Sequence, residues 1–178
     1  MATPDELLDF WRNAGMAKWF NGGEAFDAQC RMRWHEAHHA AARREFDHWM
    51  DHADGALALL VLLDQIPRNI FRGSGHAFAT DGLALQLANR ALDAGFDAAS
   101  DPALRMFFYL PFEHSEAMAD QDRSVALFEA LGPGQALDYA HAHRNVIARF
   151  GRFPHRNAAL GRSNTPDEQA WLDAGGGF

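Results

Sequence analysis

The amino-acid sequence predicts an all-α fold of about seven to nine helices joined by short turns. Three observations carry that expectation. Apolar residues recur at three-and-four spacing along most of the chain. No stretch of four or more residues alternates apolar and polar side chains with β-branched enrichment. The tetrapeptide "TPDE", a helix-capping sequence, occurs at residues 3–6 and again at 165–168. With 178 residues, 48% of them apolar, the chain can bury one continuous core, so a single helical domain over 1–178 is expected.

The first helix opens with Thr3 as N-cap, Pro4 in the first turn and Glu6 reaching back to complete a capping box. Residues 24–50 place Phe26, Cys30, Trp34, Ala37, Ala41 and Phe46 at helical spacing, a long amphipathic helix with room for one break. The segment "GALALLVLLDQI" at 55–66 is apolar nearly all round, as befits a helix inside a bundle. Pro67 is expected to end it, because the residue before a proline is pushed out of helical geometry. Residues 77–95 align Leu85, Ala88, Ala91 and Leu92 on one stripe that should stop at Gly95. Ser100 or Asp101 then caps an aromatic stretch in which Pro111 demands a kink or a break. Helices over 120–131 and 133–150 follow, the second facing Leu137, Ala140, Ile147 and Phe150 inward. Thr165, Pro166 and Glu168 start the last helix. The repeated tetrapeptide reflects capping chemistry, not duplication, since no repeat at fixed period exists.

Charge and cysteine content narrow the function. The formal net charge is -8 and no basic stripe breaks it, which argues against a nucleic-acid partner. Lys18 is the only lysine; the other fixed cations are arginines, whose planar forks suit carboxylates, phosphates and buried pairs. Coding bias toward G and C would produce the same skew. One cysteine, Cys30, leaves no intramolecular disulfide and no thiolate cluster, in keeping with a reducing compartment. The start of the chain lacks a secretory pattern, and the longest apolar run, "ALALLVLL" at 56–63, is too short to cross a bilayer. A cytoplasmic protein without a membrane partner is expected.

Three segments concentrate polar groups beside apolar sequence: "LLDQIPRNIFRG", "FFYLPFEHSE" and "RFGRFPHRN", the last preceded by His143. If helical geometry persists past Pro67, then Asp64, Arg68 and Arg72 share a face. In the third segment Gly151 and Pro154 make a sharp turn, with Phe150 and Phe153 as inward anchors. Charges embedded in apolar sequence must be matched, and two readings meet that demand. In one, Arg68, Arg152 or Arg156 cap helix ends or pair with Asp64, Glu113 and Glu116 to hold loops in place. In the other, the segments converge on a pocket for a small anion, carboxylate or phosphate. Its acid–base groups would be His114, Glu116 and His155; its binding groups would be Asp64, Arg68, Asn69, Arg72, His143, Arg152, Arg156 and Asn157.

Metal binding is not expected. His35, His38 and His39 fall at i, i+3 and i+4, and His48 and His52 at i, i+4, but no second ligand pair accompanies either set. They read as solvated helix faces. No nucleophile elbow, phosphate loop or dinucleotide fingerprint occurs, so no cofactor is expected either.

Read in order, "LLDQIPRNIFRG", "AFATD", "FFYLPFEHSE", "HRNVIARFGRFPHRNAALGR" and "NTPDE" resemble a bacterial family known as domain of unknown function 924, over nearly the whole chain. The resemblance implies a tetratricopeptide-like superhelix of antiparallel helix pairs and brings no established reaction. It draws attention to Asp64, Gln65, Pro67, Arg68, Asn69, Arg72, Asp81, Pro111, His114, Ser115, Glu116 and Gln121. Toward the end of the chain it adds His143, Arg152, His155, Arg156, Asn157 and Arg162. Asn164 stands where the family more often has serine. Two functions stay open: a ligand pocket with histidine–glutamate acid–base chemistry, or a non-catalytic scaffold for a peptide or protein partner. The aromatic content leaves room for an apolar face between copies of the chain.

Overall fold

Pro67 does not end the most apolar helix. A computed structural model describes residues 2–178 and carries the chain straight through that proline, by way of one π-turn. The α-helices are α1 (Pro4–Ala14), α2 (Met16–Trp19), α3 (Gly23–Ala42), α4 (Ala53–Leu60), α5 (Ile66–Ile70), α6 (Asp81–Asp93), α7 (Phe96–Ala99), α8 (Leu110–Glu113), α9 (Met118–Leu131), α10 (Gln135–Phe150) and α11 (Pro166–Asp173). Seven of them run eight residues or more, and no strand occurs among the described residues, so the fold is all-α. Among the described residues no helix is long and apolar enough to cross a membrane.

The chain divides into two compact units. Unit 1 comprises the residues up to Arg72 together with His76–Pro111; unit 2 comprises Gly73–Gly75 and Phe112–Phe178. In unit 1, α4, the π-turn and α5 form one rod, packed by α1, α3, α6 and α7. Its leucines 57, 59, 60, 62 and 63 are at most 1% exposed. Each contributes about 1.5–3 kcal/mol relative to an exposed position. In unit 2, α9 packs on α10, and Val146, Ile147 and Phe153 form a core edged by Met118, Phe150 and Trp171.

Local chemistry explains the helix ends. Both capping boxes form: Thr3 Oγ1 accepts from the Glu6 amide and Thr165 Oγ1 from the Glu168 amide, and each glutamate returns the bond to its threonine amide. Gly95 and Gly151, both left-handed, follow α6 and end α10. The expected helix over 24–50 stops at Ala42, where Arg44 takes a left-handed backbone (φ 69) and a 3-10 turn, Asp47–Asp51, follows. The aromatic stretch is likewise a 3-10 turn, Arg105–Phe108, then α8, where Pro111 sits in the first turn and its missing N–H costs nothing.

The π-turn answers the proline. The Ile66 amide reaches back five residues to the Val61 carbonyl. Pro67 has no N–H, so the carbonyls that a donor at 67 would serve, Leu62 at i−5 and Leu63 at i−4, need other partners. They take side chains: His38 Nδ1 donates to Leu62 O at 2.9 Å and Thr80 Oγ1 to Leu63 O at 2.5 Å. The next two carbonyls are also served, Asp64 by an Arg68 Nη1–H and Gln65 by Asn69 Nδ2 at 3.2 Å. His38 is thus buried, not on a solvated face as its spacing suggests, and burial pushes its imidazole below the ordinary value despite that bond.

Candidate functional site

The residues picked out in "LLDQIPRNIFRG" find their partners inside unit 1. Arg68 forms a bidentate pair with Asp81 at 2.9 and 3.0 Å and lies 3.6 Å from the buried Asp64 carboxylate. Arg72 pairs with Asp27 on α3 at 2.6 and 2.9 Å. Gln65 Nε2 donates to Asp64 Oδ2 at 2.6 Å. Asp64, Arg68 and Asn69 therefore surround the proline-bearing turn, and Arg72 ties the end of α5 to α3.

In unit 2 the stretch that follows α10 is held by two carboxylates. Arg152 makes a bidentate pair with Glu168 of α11 at 2.6 and 2.7 Å, and Asn157 Nδ2 reaches the same carboxylate at 3.3 Å. Arg152 and the Thr165 amide hold the Glu168 carboxyl down to about 2. Arg162 grips Glu116 at 2.7 and 2.9 Å, and Glu116 Oε1 also accepts from the Phe153 amide at 2.8 Å. Burial works to raise the Glu116 carboxyl, yet these hydrogen bonds, with the charges of Arg162 and Arg156, keep it below its ordinary value. Of the sequence candidates, Glu116, Arg152 and Asn157 thus belong to the scaffold of this loop.

A second group gathers beside that scaffold. Helix α10 delivers the buried His143, α8 ends in the buried Glu113, and the turn after Phe153 supplies His155 and Arg156. His143 Nδ1 lies 2.8 Å from the Tyr139 carbonyl and 3.2 Å from Glu113 Oε1, so this nitrogen carries the hydrogen. In the neutral ring Nε2 is then the acceptor. Burial above all, with the charges of His114, Arg156 and His155, pushes His143 down to about 3 despite its bond to the Tyr139 carbonyl. The His114 ring is 6.3 Å from His143, and Phe153 is 5.5 Å from His143 and 5.6 Å from His155. Arg156 donates to the His114 carbonyl at 3.0 Å and lies 4.4 Å over the Phe153 ring. The ring of Phe178 stacks on His143 at 3.6 Å.

The sequence candidates His114, His143, His155 and Arg156 are brought together in this one place. Glu113 and Phe178, which the sequence reading did not count among its candidates, are here too. Position 113 is the first residue of "EHSE" and is offered by the sequence only as a partner for an arginine, whereas Phe178 follows three glycines that carry no signal of their own. Among the described residues no group of three or more His, Cys, Asp or Glu side chains is placed to hold a metal ion. Two hollows on unit 1 lie at Met50, Arg90 and Phe96 and at Glu6, Arg33 and Trp34, and neither includes a residue of the cluster.

Fold and site together define an all-helical protein whose second unit assembles histidines, an arginine and a buried glutamate against an aromatic wall. The chain belongs to the bacterial protein family of unknown function DUF924, whose model matches residues 7–176. It is similar in structure to the protein of unknown function ATU0120 from Agrobacterium tumefaciens, at 48% identity and a TM-score of 0.93, over 96% of this chain and 97% of that one. No curated protein matches it.

Proposed function

We propose that this is a ligand-binding protein whose site is the His114, His143, His155 and Arg156 cluster of unit 2, and that its ligand is a small anion bearing a carboxylate or phosphate. The supporting observation is the convergence of four such groups from three separate stretches of sequence around one buried carboxylate. Arg68, Arg72, Arg152 and Arg162 are matched by carboxylates and are assigned to holding the fold. The Arg156 guanidinium, 4.4 Å over the Phe153 ring that also meets His143, brings a fixed positive charge to the cluster and suits an anionic ligand. A neutral His143 oriented by Glu113 offers Nε2 as a hydrogen-bond acceptor. A cytoplasmic location goes with this reading, on the strength of the single buried Cys30.

Isothermal titration with inorganic phosphate and with acetate tests the proposal. Native protein should bind at least one of them, and Arg156→Gln and His155→Ala should weaken that binding tenfold or more while melting cooperatively. At a hundred times Kd the ligand should stabilise the native protein by about 2.7 kcal/mol. Binding by Arg156→Gln as tight as by the native protein would contradict the assignment.

A further inference from the structure

The segment Gly175–Phe178 points to the kind of ligand the cluster takes; this inference rests on the reading of that cluster as a binding site. The Phe178 ring covers the His143 imidazole almost in parallel, 3.6 Å between centroids and 11° between planes. Its edges meet Phe153 at 88° and His155 at 85°, with centroids 6.3 and 5.6 Å away. One face and two edges therefore make a slot for a single flat ring. Phe178 nevertheless keeps 49% of its surface exposed.

Three glycines lead the chain to this slot, two through their backbone angles and one through close contact with Trp171. Gly175 and Gly177 have positive φ (85 and 143), and a Cβ on Gly176 would stand 2.3 Å from the Trp171 indole. The same glycines make release favourable in entropy, since glycine regains the most backbone freedom when a segment is freed. A half-exposed ring on a glycine tether is a contact that an incoming ligand can displace.

We propose that Phe178 is a self-ligand: it fills the place of the aromatic ring of a small aromatic anion, which displaces it, stacks on His143 and directs its carboxylate or phosphate toward Arg156 and His155. Stacking on a neutral imidazole suits an electron-poor or uncharged arene, and the flanking Arg156 guanidinium suits the anionic substituent. Occupied by Phe178, the protein is held in a self-inhibited state that only a ligand combining ring and charge competes with well.

The experiment compares native protein, Phe178→Ala and Phe178→Trp, using phenyl phosphate and benzoate as probes and inorganic phosphate as the ring-free control. Side-chain NMR of His143 reports the seated ring: its ring-current shift should be present in native protein, kept in Phe178→Trp and lost in Phe178→Ala. If the slot is filled by Phe178 about nine-tenths of the time, its removal should tighten phenyl phosphate binding about tenfold. Phe178→Trp should bind it no better than native protein, and inorganic phosphate should bind all three alike. Phenyl phosphate binding that is unchanged or weaker in Phe178→Ala overturns the self-ligand, as does a His143 signal indifferent to position 178. If Phe178→Ala binds inorganic phosphate and phenyl phosphate equally, the aromatic class is wrong while the anion site stands. If no probe binds any of the three proteins, the anion site itself fails.

Discussion

Replacing Thr80 with valine isolates one hydrogen bond in the proline-bearing turn. Valine keeps the shape of threonine, so the change removes the 2.5 Å bond to the Leu63 carbonyl without opening a cavity. Thr80 is 8% exposed and Leu63 0%, so no water reaches the carbonyl that is left. Its lost partner should cost about 1–3 kcal/mol, or a fall in Tm of about 2–12 °C for a chain of this size. A Pro67→Ala background sharpens the test. There an N–H returns at position 67, able to serve Leu62 or Leu63, and Thr80→Val should cost less than about 1 kcal/mol. Urea unfolding of the four proteins of the cycle, followed by circular dichroism and tryptophan fluorescence, measures the coupling. Equal costs in the two backgrounds would refute the idea that Thr80 stands in for the donor that proline lacks.

Other outcomes follow from the same structure. Because the His143 pKa is about 3 when folded and near 6.5 when unfolded, acidification loads protons onto the unfolded chain first. Stability should be complete above pH 6.5 and fall by about 1.4 kcal/mol per pH unit toward pH 3, a dependence that His143→Gln should flatten in urea titrations between pH 5 and 7. Glu168, depressed to about 2, works in the same sense lower down: its contribution is full above the ordinary carboxylate range and lost as pH falls through 2. Trp171 fluorescence should report that loss, and Glu168→Gln should free α11 already at neutral pH, seen as faster amide exchange there. Glu116→Gln weakens the pair with Arg162, which is partly exposed, and should cost about 1–2 kcal/mol, with faster exchange of the Phe153 amide. Burial pushes the Cys30 thiol up to about 12, so it should resist disulfide reagents at pH 8 until the protein unfolds.

What could be read from the sequence was what depends on near neighbours. Thr3 with Glu6 and Thr165 with Glu168 signal their helix starts because both partners of a capping box lie within three residues. Gly151 ends α10 for an equally local reason, its left-handed backbone. Pro67 misleads because the rule that a proline stops a helix assumes that nothing else serves the stranded carbonyls. Here His38, 24 residues before Leu62, and Thr80, 17 residues after Leu63, do so. His38 reads as solvated for the same reason: its spacing shows a helix face but not what packs on it. The arginines are legible as charges needing partners, and for Arg68 one partner offered, Asp64, lies 3.6 Å away. Arg152 instead meets Glu168, where the sequence offers Asp64, Glu113 and Glu116, and Arg72 meets Asp27. In the candidate site, "FEHSE" and "FPHRN" marked His114, His155 and Arg156 by their density. Phe178 carries no local signal, because its meaning lies in the ring it covers.

A crystal structure of the protein grown with phenyl phosphate tests the central claim most directly. The account predicts the phenyl ring stacked on His143, the phosphate beside Arg156 and His155, and Phe178 displaced from its slot. A structure with Phe178 still seated on His143 and no ligand in the cluster, at a concentration that saturates binding in solution, would contradict it.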